Sequence, residues 1–142
     1  MKKLITSIGV LVFAASVNAG TKLDSETQCL AQNVYHEARG EPWQGKMAVA
    51  IVTLNRTEHW RFPKTICKVV YQPGQFAWTQ YRNLRIYETH AWQDSVLVAL
   101  VAREFHREYA QHFPALYFHN KQVKPMWRHR RLATIGNHVF YH

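Results

Sequence analysis

In the stretch Leu30-Ala31-Gln32-Asn33-Val34-Tyr35-His36-Glu37-Ala38-Arg39-Gly40-Glu41-Pro42, the apolar residues Leu30, Ala31, Val34 and Ala38 recur at the spacing of one helix face. Asp24 or Ser25 can cap this helix and Gly40 can end it. Glu37 lies seven residues after Leu30, almost directly below it on a helix of 3.6 residues per turn, so its carboxyl falls in line with the apolar stripe. An acid in that position costs free energy unless it is paired or used. Desolvation would raise its pKa toward neutrality, as a general acid working near neutral pH requires. A buried ion pair with Arg39 or Arg56, or a solvated glutamate at a fraying helix end, accounts for the same residue types.

Outward from this helix, Pro42 suits the first turn of a second one, from about Trp43 to Glu58. Its run Met47-Ala48-Val49-Ala50-Ile51-Val52 is apolar on every face, which predicts a central, buried helix. Thr65 to Tyr71 reads as a short third helix before the Pro73-Gly74 turn. A long helix follows from about Glu88 to Gln111, with Trp92, Val96, Ala99 and Leu100 inward, and Pro114 stops it. The pattern then changes to strands: Ala115 to His119, and Ala133 to Ile135 with His138 to Tyr141 on either side of a Gly136-Asn137 hairpin turn. With no repeat and no linker, this predicts one α+β domain, mainly helical with a small C-terminal antiparallel sheet.

Residues 1–19 read as a signal peptide: Met1-Lys2-Lys3, an apolar core from Leu4 to Val17, and a small-x-small site at Val17-Asn18-Ala19. The apolar run is short of the roughly 20 residues of a spanning helix, so no membrane anchor is expected after cleavage. Residues 20–142 would then be the exported domain, periplasmic or extracellular. Losing Lys2 and Lys3 takes the net charge from +9 to +7. A basic surface draws polyanions; export argues against nucleic acid and leaves the cell wall, with its peptide carboxylates and anionic polymers. Cys29 and Cys67, an even pair in an oxidising compartment, favour one disulfide over two buried thiols.

His36-Glu37 invites a zinc-peptidase reading, but that motif needs a second histidine four residues after the first, and position 40 is glycine. The order Asn33-Val34-Tyr35-His36-Glu37-Ala38-Arg39-Gly40-Glu41-Pro42, then Gly45 to Ala50, Leu54-Asn55-Arg56, Phe62 to Cys67, Gln75 to Thr79, Ala115 to Asn120, Trp127 and Ile135 to Phe140, resembles the SleB-like cell wall hydrolases. The resemblance covers nearly all of residues 20–142. It implies a lysozyme-like fold and a peptidoglycan glycosidase that cuts between N-acetylmuramic acid and N-acetylglucosamine, with Glu37 as the sole catalytic acid/base. Lytic transglycosylation is the expected reaction and hydrolysis, as by a muramidase, the alternative.

A glycosidase that uses two carboxylates holds them either about 5 Å or roughly 6.5 to 9.5 Å apart. Of the nine acids, Asp24 and Glu26 lie at the entry and Glu88, Asp94, Glu104 and Glu108 along the long helix, where a groove is not expected; Glu41 is the near neighbour in sequence, more often a cap or an arginine's partner. A transglycosylase needs one carboxylate only, because the C6 hydroxyl of the sugar is the nucleophile. Sugar rings need apolar faces and their acetamides need polar partners, and among residues in or beside the blocks that carry the resemblance this makes Tyr35, Glu41, Asn55, Gln75, Phe76, Trp78, Thr79, Tyr117 and Asn120 the candidate substrate-binding residues. Core packing competes for each aromatic, above all Phe76 and Trp127. No cofactor or metal is expected, and the domain is read as a monomer. A metal-dependent wall peptidase or amidase, suggested by nine histidines, and a non-catalytic wall-binding module are the remaining alternatives.

Overall fold

The computed structural model describes residues 22–142, and the expected signal peptide lies outside them. Helix α1 (Ser25–Ala38) starts where the Asp24 carboxylate accepts hydrogen bonds from the backbone N–H of Thr27 at 3.0 Å and from its hydroxyl at 2.6 Å. Its stripe of Leu30, Ala31, Val34 and Ala38 is buried as expected. The stripe packs against α4 (Thr89–His112), whose buried face is Ser95, Val98, Ala99, Ala102 and His106. Small side chains at Ala31, Ala99 and Ala102 let the two helices lie close.

Helix α2 (Trp43–Glu58) is the central element. Met47 to Val52 are buried on every face, and the helix packs on α1, α4, β1, β2 and the short α3 (Ile66–Val70). A disulfide between Cys29 and Cys67, with Cα atoms 5.2 Å apart, ties α1 to α3. The expectation for α4 needs one correction, because Leu100 is exposed rather than inward. At 100° per residue it lies about 200° around the helix from Val98, on the side away from α1 and α2.

The remaining strands, β1 (Tyr117–Asn120), β2 (Arg131–Ile135) and β3 (His138–Tyr141), form an antiparallel sheet in the order β1-β3-β2. Ile135 pairs with His138 across a two-residue turn in which Gly136 has φ +58°, a conformation glycine adopts without strain. Strand β1 begins at Tyr117, two residues later than the sequence suggests, because Ala115 and Leu116 form a buried approach to it. Phe118 and Phe140 pair on the face that packs against Ala48, Val49 and Val52. The opposite face carries Tyr117, His119 and Tyr141, with Trp127 laid over them. The fold is thus α+β, mainly helical with this small C-terminal antiparallel sheet. No helix among the described residues is long and apolar enough to cross a membrane.

Candidate active site

Glu37 lies on the last turn of α1, where Arg39 and Gly40 leave the helix and open a cleft of about 410 Å³ lined by His36, Glu37, Arg39, Gly40 and Glu88. The side chain is partly buried in the wall of this cleft. Burial raises its pKa from 4.5 to about 7, and the charge of Arg56 pulls more weakly the other way. Neither ion pair that the sequence allowed is formed. Arg39 bonds instead to Glu88, Nε to Oε1 at 2.9 Å, and no salt bridge among the described residues includes Glu37.

Arg56 is a buried cation with unusual company. Its Nε donates to the Leu116 carbonyl at 2.7 Å and its Nη1 to the Gln75 side-chain oxygen at 3.2 Å. Its guanidinium carbon lies 5.0 Å from the ring centre of Phe62, 5.4 Å from that of Phe76 and 5.8 Å from that of Tyr117. Aromatic faces compensate part of the lost hydration of a cation. Burial lowers the arginine's pKa to about 10, with Tyr117 and Glu37 holding it up, so it stays charged at neutral pH. Gln75, Phe76 and Tyr117 therefore converge on one cation beside Glu37. Thr79 closes the turn behind them, its hydroxyl donating to the Phe76 carbonyl at 2.7 Å.

Trp78 forms a second wall. Its ring stacks on His36 with centroids 4.5 Å apart, and its indole N–H donates to Asn33 Oδ1 at 3.0 Å. Asn33 is fully buried and donates in turn to Thr53 Oγ1 at 3.2 Å, so the indole is oriented by a chain of bonds rooted in α1 and α2. Burial, and next Arg39, lower the pKa of His36, which leaves it neutral at pH 7.

Four of the sequence-derived residues sit differently from Trp78 and Gln75. Tyr35 is 3% exposed, and its hydroxyl accepts from the backbone N–H groups of Tyr87 and Glu88 at 3.2 and 3.3 Å, fixing the opposite lip of the cleft. Glu41 is neither a helix cap nor an arginine's partner. Its carboxylate accepts from Asn137 N at 2.8 Å and Asn137 Nδ2 at 3.1 Å, latching the β2–β3 turn to the α1–α2 turn. The Asn55 amide donates to the carbonyls of Phe113 and Ala115 and its oxygen bonds to His106, in a different part of the fold. Asn120 is exposed and caps its own turn by accepting from Gln122 N. Phe76 is buried, as core packing would have it, whereas Trp127 is 37% exposed and lies outside the core.

Glu88 is the residue the sequence analysis misplaced. Counted there among the acids of the long helix, it is in fact the residue before α4, held over the cleft by Arg39 and Tyr35. A boundary one residue later would have set it apart. His36 was weighed only as a zinc ligand and Asn33 was passed over, although a polar Asn four residues before Glu37 on an apolar stripe is a readable signal. Among the described residues no three His, Cys, Asp or Glu side chains are grouped as metal ligands.

The sequence model of the Cell Wall Hydrolase family matches residues 40–141. The chain belongs to the Cell Wall Hydrolase family. The matched span begins just after Glu37, so the case for that residue rests on its geometry. Among similar members, the spore cortex-lytic enzyme of Halalkalibacterium halodurans is 34% identical over 132 residues, covering 89% of this chain and 37% of the relative. That of Bacillus subtilis is 30% identical over 120 residues, covering 82% and 37%. The chain thus spans well under half of the length of these two curated relatives. The catalytic domain of the germination-specific lytic transglycosylase SleB from Bacillus anthracis superimposes with a TM-score of 0.67 at 28% identity, covering 86% of this chain and 98% of that one. The catalytic domain of the Bacillus cereus SleB protein does so with 0.66 at 27%, covering 91% and 99%.

Proposed function

We propose that this domain cleaves the glycan strands of peptidoglycan between N-acetylmuramic acid and N-acetylglucosamine by lytic transglycosylation, with Glu37 as its acid/base. One observation carries the reading: Glu37 is a cleft carboxyl whose surroundings hold its pKa at about 7. Such a group keeps its proton into the neutral range and can lose it at little cost.

In the first step the Glu37 carboxylic acid gives its proton to the glycosidic oxygen as the bond from that oxygen to C1 of the muramic acid breaks. The resulting carboxylate faces the charge of Arg56, which stabilises it when it forms. It then takes the proton from the C6 hydroxyl of the same sugar while that oxygen bonds to C1. The product is a 1,6-anhydro end, no water is consumed, and Glu37 is protonated again. Trp78, with its indole oriented by Asn33, offers an apolar face for a sugar ring, and Gln75 and Thr79 are the nearest polar groups from the candidate set. The relatives named as spore cortex-lytic enzymes and as a lytic transglycosylase support the same chemistry. Such a substrate puts the working protein outside the cytoplasm, in the periplasm or beyond the cell, where it would act as a monomer.

Glu88 favours a second reading, hydrolysis by two carboxylates, because it lines the same cleft. Its ion pair with Arg39 speaks for a structural role. Mass spectrometry of fragments released from purified walls separates the two: anhydro ends are lighter by one water than hydrolysed ends. The expected result is anhydro ends from the wild type and from Glu88→Gln, and no release by folded Glu37→Gln. Full activity of Glu37→Gln would overturn the assignment, and hydrolysed ends that vanish in Glu88→Gln would replace transglycosylation by hydrolysis.

A further inference from the structure

The connection from β1 to β2 reads Lys121-Gln122-Val123-Lys124-Pro125-Met126-Trp127-Arg128-His129-Arg130 and runs into Arg131. It holds the cations Lys121, Lys124, Arg128, Arg130 and Arg131 and no acid; no Asp or Glu follows Glu108 anywhere in the chain. All five are exposed, and among the described residues none is paired with a carboxylate. The segment is nonetheless pinned to the sheet. Trp127 packs on Tyr117, His119 and Tyr141 with ring centres 5.0 to 5.9 Å away. His129 lies flat on Tyr117 at 4.0 Å, and Arg130 and His142 exchange backbone hydrogen bonds of 3.0 and 2.9 Å. Tyr117 is also one of the rings around Arg56, whose charge reaches Glu37. The cations therefore stand on a packed aromatic base whose Tyr117 ring lies against Arg56, the cation that acts on Glu37.

We infer that this loop binds the carboxylates of the stem peptides carried by the strand lying in the Glu37 cleft, so that peptide-bearing glycan is preferred over bare glycan. The inference rests on the proposed function and names the substrate form that the site selects. A strand stripped of its stem peptides keeps one lactyl carboxylate on each muramic acid, set close to the sugar ring, whereas a stem peptide carries several carboxylates out to the distance of the loop. Stem peptides bring carboxylates at each muramic acid, so contacts that are individually weak at the surface recur along one polymer. An anionic lipid surface would also attract the loop, and Met126 and Val123 are exposed there. Continuity of the loop's base with Arg56 and Glu37 favours the strand.

The test compares soluble peptide-bearing strands, freed from walls by an endopeptidase that cuts the cross-links, with the same strands after an amidase has removed their stem peptides. For the wild type, KM on peptide-bearing strands is expected to be roughly 5- to 10-fold lower, a difference that closes in about 0.5 M salt. In Lys124→Glu/Arg128→Glu, with the fold checked by circular dichroism, the preference is expected to vanish. In Lys68→Glu/Arg107→Glu, the same charge change at exposed cations of α3 and α4, the preference and the activity are expected to persist. Equal KM for both substrates in the wild type, or loss of preference in the control, overturns the inference. So does co-sedimentation with phosphatidylglycerol vesicles that depends on Lys124 and Arg128 while the strand preference does not. If neither substrate is cleaved, the proposed function has failed, and competition by peptide-bearing or stripped soluble strands against co-pelleting of wild type and variant with intact walls still reads the preference directly.

Discussion

The Arg56 guanidinium influences the ionisation of Glu37 without forming an ion pair with it. Burial pushes the glutamate's pKa up and the arginine restrains the rise, so the carboxyl comes to rest at about 7. A direct salt bridge would have kept Glu37 ionised and unable to donate. Removing the charge in Arg56→Gln disfavours the carboxylate, so the pKa of Glu37 rises further. The alkaline limb of the kcat profile is expected to move to higher pH, while kcat at neutral pH falls roughly 10-fold or more because the conjugate base loses its nearby cation. A limb that stays in place would show that the two groups are uncoupled.

The same burial should leave a thermodynamic trace. Glu37 has a folded pKa of about 7 against 4.5 when unperturbed, so between these values the folded state holds a proton that the unfolded chain has released. Stability therefore falls as pH rises through that window, by on the order of 2 to 3 kcal/mol once both states are ionised. Glu37→Gln removes the effect. Its melting temperature should exceed that of the wild type at pH 8 and approach it at pH 4, measured by calorimetry at matched ionic strength. A constant difference across this range would mean that the carboxyl is solvated in the folded protein.

The helices and the hairpin were legible because their signals are local. The apolar stripe of α1, the all-round apolar run of α2 and the Gly136-Asn137 turn each carry their own periodicity or backbone requirement. Glu37 was legible for the same reason, as a carboxyl in line with Leu30. The other side of the site was not, because contacts between residues far apart in sequence decide it. Glu88 reaches the cleft through Arg39 and through the hydroxyl of Tyr35, a contact spanning 53 residues. Asn55 lies one position before Arg56, yet its amide is spent on Phe113 and Ala115 while the arginine turns to Leu116 and Gln75. Helix geometry separates the two by 100°, and no pattern in the sequence says which of them turns toward Glu37.

The disulfide acts on the fold more than on the chemistry. Cys29 and Cys67 close a loop with a sequence separation of 38, worth about 3 to 4 kcal/mol in the chain-entropy account. Reduction, or Cys29→Ala/Cys67→Ala, is expected to lower the melting temperature by roughly 10 to 20 °C. Activity at low temperature should persist, since α1 keeps its contacts with α2 and α4. Melting curves with and without reductant check this, and an unchanged midpoint would show that the bond adds nothing to stability.

Glu41 shares the Arg-Gly-Glu run with Arg39, but its carboxylate is turned to the β2–β3 hairpin. Its two carboxylate oxygens are taken up by Asn137, and a Cβ built at Gly136 would overlap Glu41 Oε2 and lie 3.2 Å from Pro42 Cδ. With φ at +58°, Gly136→Ala meets both backbone strain and this clash, so it should cost about 1 to 3 kcal/mol. Glu41→Gln keeps one acceptor for Asn137 and should cost about 1 kcal/mol, with Glu41→Ala costing more. If the role is only to latch the hairpin, all three variants lose stability in chemical denaturation while the pH profile of kcat keeps its wild-type midpoint. A displaced midpoint in Glu41→Gln would instead make this carboxylate part of the proton-transfer machinery.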